Sequence, residues 1–330
     1  MAVTIRDVAR RAGVSPSTVS RALSGKGRMR PETRERIRKI ARELGFRPNA
    51  HARGLATKVT QCVGVVIDAR HVPLEGSFYG PVLEAIEATL DAEGYHVVFS
   101  VLRKHRIPKS VVEGRVDGVL LLGTDIGEDI VMPLKERVPV VLVDNHLPQV
   151  DAVVGDNVGG ARLAVEHLIS HGHRRIAFIA ETLADLSFRE RLAGYLQTME
   201  ERGMPLDEGL IAEGERGPWS VEKAMRKLLA QSPLPTAIFA ANDHMAIGAM
   251  RFLEEKGHRV PEEVAVVGFD DGDLAPHVVP PLTTVRVSRG EMGKVAAKRL
   301  LELMRGEGAG AQLIVLSCEL VRRRSCGCPN

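Results

Sequence analysis

A chain of 330 residues, 44% of them hydrophobic, is too long for one compact domain and apolar enough to build two or three cores. No run of about 18 apolar residues occurs, so no membrane-spanning helix is expected, and no apolar stretch follows Met1 that would read as a secretory leader. The four cysteines form no disulfide framework, which fits a reducing, cytoplasmic setting. The net charge of +3 hides an asymmetry: residues 1–60 hold 15 Lys and Arg against 4 Asp and Glu, a net of +11, which leaves −8 for residues 61–330. A basic head that meets a polyanion, on an acidic body that stays off it, is the expectation.

In the head, Ile5, Val8, Ala9 and Ala12 recur at helical spacing and predict a short amphipathic helix that Gly13 ends. Ser15 is placed to cap a second helix, with Pro16 in its first turn, where the missing N–H costs nothing. Val19, Ala22 and Leu23 then point inward, which sets Pro16, Ser17, Ser20 and Arg21 on the outward face. A third stripe, Ile37, Ile40, Ala41 and Leu44, closes a three-helix core ahead of Gly45. Two short helices joined by a tight turn, with small polar residues and an arginine outward on the second, make a helix-turn-helix. Such a second helix enters the major groove of double-stranded DNA with its N-terminal residues on the base edges.

Asn49 to Ala56 reads as one more short helix with Asn49 as its cap. At eight residues it falls below the ~12–15 at which an isolated helix becomes marginal in water, so it is expected to fold only on DNA. From Cys62 onward, apolar runs over Val63–Asp68, Val97–Val101, Gly118–Leu122, Val138–Val143, Ile176–Ala180, Ala237–Ala240 and Val264–Gly268 alternate with amphipathic stretches. That alternation predicts parallel sheets covered on both faces, and residues 61–330 are enough for two of them. Pro280 to Val285 reads as a crossing back to the first sheet, followed by a helix over Arg289–Arg305 and a last strand over Leu313–Val321.

Thr4-Ile5-Arg6-Asp7-Val8-Ala9, Ala12-Gly13-Val14-Ser15, Ser17-Thr18-Val19-Ser20-Arg21 and Leu44-Gly45-Phe46-Arg47-Pro48-Asn49 resemble the head of the lactose-repressor/galactose-repressor family of bacterial transcription regulators. The resemblance continues through Gly172-His173-Arg174-Arg175-Ile176, Arg189 to Tyr195, Ala241 to Ala246 and Val266 to Asp271. Two stretches depart from it: Arg30 stands where the family places a Ser or Thr cap, and Val101 to Val116 is short.

The resemblance implies an α/β fold with a helix-turn-helix domain over 1–48, a hinge helix and linker over 49–60, and an effector-binding and dimerisation domain over 61–330. That body is a two-lobed, periplasmic-binding-protein-like arrangement of doubly wound sheets. Lobe one is expected at about 61–157 plus 286–312, and lobe two at about 158–283 plus 313–326. The implied DNA contacts are Thr4, Ser15, Pro16, Ser17, Thr18, Ser20 and Arg21, with Asn49, Ala52 and Leu55 from the hinge; an apolar wedge such as Leu55 unstacks a base step. The implied protein partner is a second copy of the chain.

Ligands of open α/β sheets sit at the carboxyl ends of the strands. The strand ends here offer Asp68 to Tyr79 (with Phe78 and Tyr79 placed to stack), Gly123 to Asp125, Asp144 to His146, Asn242-Asp243 and Asp270-Asp271. The resemblance implies Arg189, Trp219, Asn242 and Asp270 as effector contacts, and an aromatic face, an arginine and carboxylates suit a sugar. The alternatives are a nucleoside or purine effector, a protein partner, or a cytosolic solute-binding protein. No Walker loop or nucleophile motif occurs, so neither catalysis nor a cofactor is expected. His167, His171 and His173 read as basic residues at a helix end, and Cys326-Gly327-Cys328 as a free tail, so no metal is expected either.

Overall fold

The computed structural model describes residues 3–24, 28–46, 59–72, 78–103, 106–214, 221–308 and 310–328. Asn49, Ala52, Leu55 and Trp219 lie outside the described residues, as does the hinge helix expected over Asn49 to Ala56. The chain divides into two compact units, Met1–Thr60 and Gln61–Asn330.

The first unit holds α1 (Ile5–Ala12), α2 (Pro16–Ser24) and α3 (Pro31–Glu43) around Val8, Ala9, Ala12, Val19, Ala22, Ile37 and Ala41. Gly13 ends α1 in the left-handed region at φ +66°, a conformation that a Cβ disfavours. Ser15 Oγ accepts the Thr18 N–H at 3.2 Å and so caps α2. Arg30 precedes α3 without a side-chain cap, and Pro31 and Glu32 open that helix. Arg36 donates to the Ala12 carbonyl at 3.2 Å and ties α3 to α1.

The second unit runs, in chain order, through β1 (Cys62–Asp68), α4 (Tyr79–Ala92), β2 (His96–Leu102), α5 (Lys109–Val112), β3 (Gly118–Leu122), α6 (Glu128–Lys135), β4 (Val140–Val143) and β5 (Asp151–Gly155). It continues with α7 (Asn157–Ser170), β6 (Ile176–Ala180), α8 (Leu186–Glu201), β7 (Ile211–Glu213), α9 (Glu222–Leu229), β8 (Ala237–Ala240), α10 (Asp243–Glu255) and β9 (Ala265–Asp270). β10 (Thr283–Arg286), α11 (Arg289–Met304), β11 (Leu313–Leu316) and β12 (Glu319–Val321) complete it. The strands form two sheets of six, β11-β5-β4-β3-β1-β2 and β12-β10-β9-β8-β6-β7, and only the β10–β12 pairing is antiparallel. β3, β4, β5, β6 and β8 are buried along their whole length, which is why they read as unbroken apolar runs with helices on both faces.

Three readings of the C-terminal part need correction. Pro280 to Val285 is not the crossing: Thr283–Arg286 is a strand of the second sheet, and the chain crosses only after it. Pro280 and Pro281, lacking an N–H, sit just ahead of the strand rather than within it. The single last strand expected over Leu313–Val321 is two strands. β11 pairs in parallel with β5 in lobe one and β12 pairs with β10 in lobe two, so Leu313–Leu316 moves from lobe two to lobe one. The tail is not free either, since Ser325 donates through its hydroxyl to the Val266 carbonyl at 2.6 Å and Cys326 is buried.

α7 and α8 approach closely because Gly194 has no side chain. A Cβ there would collide with the Val158 carbonyl and lie 2.8 Å from Ala161 Cβ. Gly194→Ala is expected to lower unfolding stability in urea by about 1–3 kcal/mol, because the neighbour in the way is backbone. Gly290→Ala, whose Cβ would meet nothing within 4 Å, is expected to change it by no more than about 0.5 kcal/mol. Equal effects would show that the α7–α8 contact has slack.

Candidate functional site

In both sheets the carboxyl ends of the strands carry polar residues. From lobe one come Asp68 and Arg70 after β1, Thr124 and Asp125 after β3, and Asp144, Asn145 and His146 after β4; from lobe two come Asn242 and Asp243 after β8, and Asp270 and Asp271 at the end of β9. Ion pairs join the lobes. Arg70 Nη1 lies 2.9 Å from Asp125 and 3.4 Å from Asp185, just ahead of α8. His146 Nε2 lies 2.9 Å from Glu190 on α8.

At the centre of the lobe-two side stands Arg191, whose side chain is only 4% exposed. Its Nε donates to Asn157 Oδ1 at 2.9 Å, its Nη1 to the Ala241 carbonyl at 2.5 Å, and Nη1 lies 3.1 Å from Asp270 Oδ1. The guanidinium carbon sits 3.7 Å from the centre of the Phe269 ring, a cation–π contact in a desolvated setting. Burial pushes Asp270 above the usual carboxylate range, and Arg191, His244 and Arg289 pull the other way.

Arg189, the arginine expected from sequence, is not part of this web. It is exposed on α8, and its guanidinium donates to the carbonyls of Leu183 and Ala184. Arg191 joins the web instead, because it shares the inward face of α8 with Phe188 and Tyr195, at the i, i+3, i+7 positions that a helical reading of 186–201 marks as buried.

On the lobe-one side, Tyr79 donates its hydroxyl proton to Asp144 Oδ2 at 2.8 Å, and Phe78 meets the Tyr79 ring edge-on at 5.2 Å. Asn242 caps α10: its Oδ1 accepts the Met245 N–H at 2.8 Å and its amide donates to Glu181 at 3.2 Å. Next to it stands Asp243, a strand-end candidate from the sequence and a buried carboxyl that accepts from Thr284 Oγ1 at 2.5 Å and from the Gly272 N–H at 2.6 Å. Burial, then neighbouring Asp270, push it up to about 8. Thr124, another strand-end residue, has a hydroxyl that is buried with no hydrogen-bond partner among the described residues. Asp144, Asp270 and Asp271 adopt φ +62°, +110° and +50°, a left-handed backbone that costs energy outside glycine and concentrates at ligand clamps.

In the head, Ser15, Pro16, Ser17, Ser20 and Arg21 are exposed together at the start of α2, with Thr18 half-buried beside them. Ser15 Oγ lies 2.8 Å from the hydroxyls of both Ser17 and Thr18. Thr4 is engaged locally: the Asp7 carboxylate accepts its N–H at 3.0 Å and its hydroxyl at 2.6 Å, a box that fixes the start of α1.

The buried carboxyls set a pH dependence. Burial outweighs Arg191 and the Tyr79 hydroxyl and holds Asp144 at about 7, against 3.8 for the free group. An acid whose folded-state pKa is raised keeps its proton in the fold where the unfolded chain has lost it, so stability falls as pH rises from about 4 to about 7. Asp144→Asn is therefore expected to unfold at a higher temperature than the parent chain, by a margin that grows from pH 4 to pH 7 and is level above. A margin independent of pH would mean that Asp144 is ionised throughout.

The N-terminal unit matches the family model for bacterial regulatory proteins of the lacI family over residues 4–49, and residues 165–326 match that for a periplasmic binding protein-like domain. Among curated relatives, the HTH-type transcriptional regulator CelR of Thermobifida fusca is 37% identical over 98% of both chains. Among solved structures, the lac repressor dimer bound to operator and the anti-inducer ONPF superposes with a TM-score of 0.86 at 30% identity, covering 99% of each chain. A CelR–cellobiose complex superposes with a TM-score of 0.75 at 35% identity, covering 98% of this chain and 99% of that one. Its basic three-helix head, its two doubly wound lobes and this end-to-end similarity place the chain in the lacI family of bacterial regulatory proteins.

Proposed function

We propose that the protein is a cytoplasmic, homodimeric repressor that binds a pseudo-palindromic DNA operator and is released or retained by a sugar held between its lobes. The observation that carries the effector reading is the web of Arg191, Asp270 and Asn157 facing Asp144 and Tyr79 at the carboxyl ends of the strands. Both guanidiniums there are already paired, Arg70 with Asp68, Asp125 and Asp185 and Arg191 with Asp270. Such a site accepts hydroxyl hydrogens and repels phosphate, which favours a neutral polyol over a nucleotide. The similarity to a CelR–cellobiose complex supports the same class. Trp219, by its place in the sequence, is the stacking face, and Phe78 and Asn242 line the remainder. The reading involves no catalytic step.

Two copies are required because a pseudo-palindrome offers two half-sites, about one helical turn apart, to two α2 helices. Residues 49–60 would fold as hinges on DNA, with Asn49, Ala52 and Leu55 at the minor groove. Since such a hinge is marginal, a small change in lobe geometry suffices to fold or unfold it.

The DNA half is tested by Arg21→Ala, which should weaken binding to the specific operator by about 1–3 kcal/mol and hardly change binding to random duplex. Equal weakening on both would reduce Arg21 to a phosphate contact. The effector half is tested by calorimetry of Asp270→Asn and Trp219→Ala against a panel of mono- and disaccharides. Each should weaken the sugar that binds the parent chain by at least about tenfold and leave operator affinity near its parent value. Undiminished sugar binding in both would put the pocket elsewhere.

A further inference from the structure

The C-terminal segment returns to the far end of α7. There His167, in the last turn, and His171, the residue that ends the helix, stand one turn apart on the same face. Cys328 Sγ lies 3.4 Å from Nε2 of each, and Cys326 Sγ lies 3.0 Å from Cys328 Sγ. The ligand atoms of His167, His171 and Cys328 all fall within 4.8 Å of one another.

We propose that His167, His171, Cys326 and Cys328 form a structural zinc site that fastens the C-terminal segment to α7. A tetrahedral zinc with Zn–S of about 2.3 Å and Zn–N of about 2.05 Å has N···S edges of about 3.5 Å, close to the observed pair of 3.4 Å. Its S···S edge would be about 3.8 Å, against the present 3.0 Å between Cys326 Sγ and Cys328 Sγ, so the two sulfurs have to part on binding. Both thiols are free rather than joined in a disulfide.

The surroundings suit ligation. His171 Nδ1 lies 2.9 Å from the His167 carbonyl; donating there leaves the Nε2 lone pair for a metal. Thr283 Oγ1 lies 3.1 Å from Cys326 Sγ and can donate to it, as groups behind a metal-bound thiolate do. Burial and the nearby His171, Arg322 and His173 hold His167 at about 4, so its ring is neutral near pH 7. Burial and the neighbouring Cys326 push the Cys328 thiol up to about 11, and binding a dication would release the thiol protons to solvent. Two thiolates and two imidazoles suit zinc, and four protein ligands leave no open position for catalysis. His173, the third histidine of the cluster in sequence, is not part of the set: its Nδ1 lies 3.0 Å from Thr236 Oγ1.

The full chain, purified under reducing conditions and dialysed, should retain one zinc ion per chain by elemental mass spectrometry. After chelation, Co²⁺ should restore the visible d–d bands and the thiolate charge-transfer band of a tetrahedral S₂N₂ site. Cys328→Ser and His171→Gln should each lose the metal and Cys62→Ser keep it, and stripping zinc from the parent chain should lower its thermal midpoint by about 5–10 °C. The cobalt titration uses the parent chain, so it stands even if a ligand variant fails to fold. Octahedral cobalt spectra, no metal above background, or a parent chain two hydrogens lighter from a Cys326–Cys328 disulfide would each overturn the proposal.

Discussion

Lobe two is organised around one buried guanidinium. Arg191 leaves a helix, crosses the end of a sheet and is held by four residues from three elements: Asn157 at the start of α7, the Ala241 carbonyl after β8, and Asp270 and the Phe269 ring at the end of β9. A charge so placed is tolerated only because these partners replace the water it has lost. Removing one partner of such a pair typically costs about 3–5 kcal/mol, since the other charge is then stranded. The same web holds Asp270 in a left-handed conformation that its own backbone disfavours. Strain and desolvation are thus concentrated where the strands end, and both would be relieved in part by a ligand offering hydroxyls.

The interlobe pairs Arg70–Asp185 and His146–Glu190 are of another kind. Arg70 reaches Asp185 at 3.4 Å while already paired more closely with Asp68 and Asp125, so the cross-lobe bond is its weakest. His146 and Glu190 are both partly exposed, which limits their pairing to a modest contribution. Contacts of this strength can be made and broken without unfolding either lobe, and a ligand that touches both lobes needs only modest differential affinity to move the balance.

Much of this was legible in the residues. Val63–Asp68, Gly118–Leu122, Ile176–Ala180 and Ala237–Ala240 are apolar without interruption because their strands are covered on both faces, and periodicity alone marks them. The outward face of α2 was likewise written in the spacing of Val19, Ala22 and Leu23. What failed did so for physical reasons. Residues 313–321 look like one strand, yet the chain changes sheet between Leu316 and Glu319, and no local pattern marks a change of partner. Arg189 and Arg191 differ by two positions, but on a helix that is about 200°, which sends one to solvent and the other to the core.

The cluster at the chain's end shows the remaining limit. His167 and Cys328 are 161 residues apart, and each half of the set has a bland reading when taken alone. Only β12 pairing with β10, followed by Ser325 docking on Val266, carries the two sulfurs to the end of α7. That helix has 14 residues, a length of about 21 Å, and its other end is Asn157, the partner of Arg191. One helix therefore runs from the Arg191 web to the His–Cys cluster. Fastening its far end restrains the angle at which Asn157 meets the guanidinium, so order at the tail and geometry at the site are properties of the same helix.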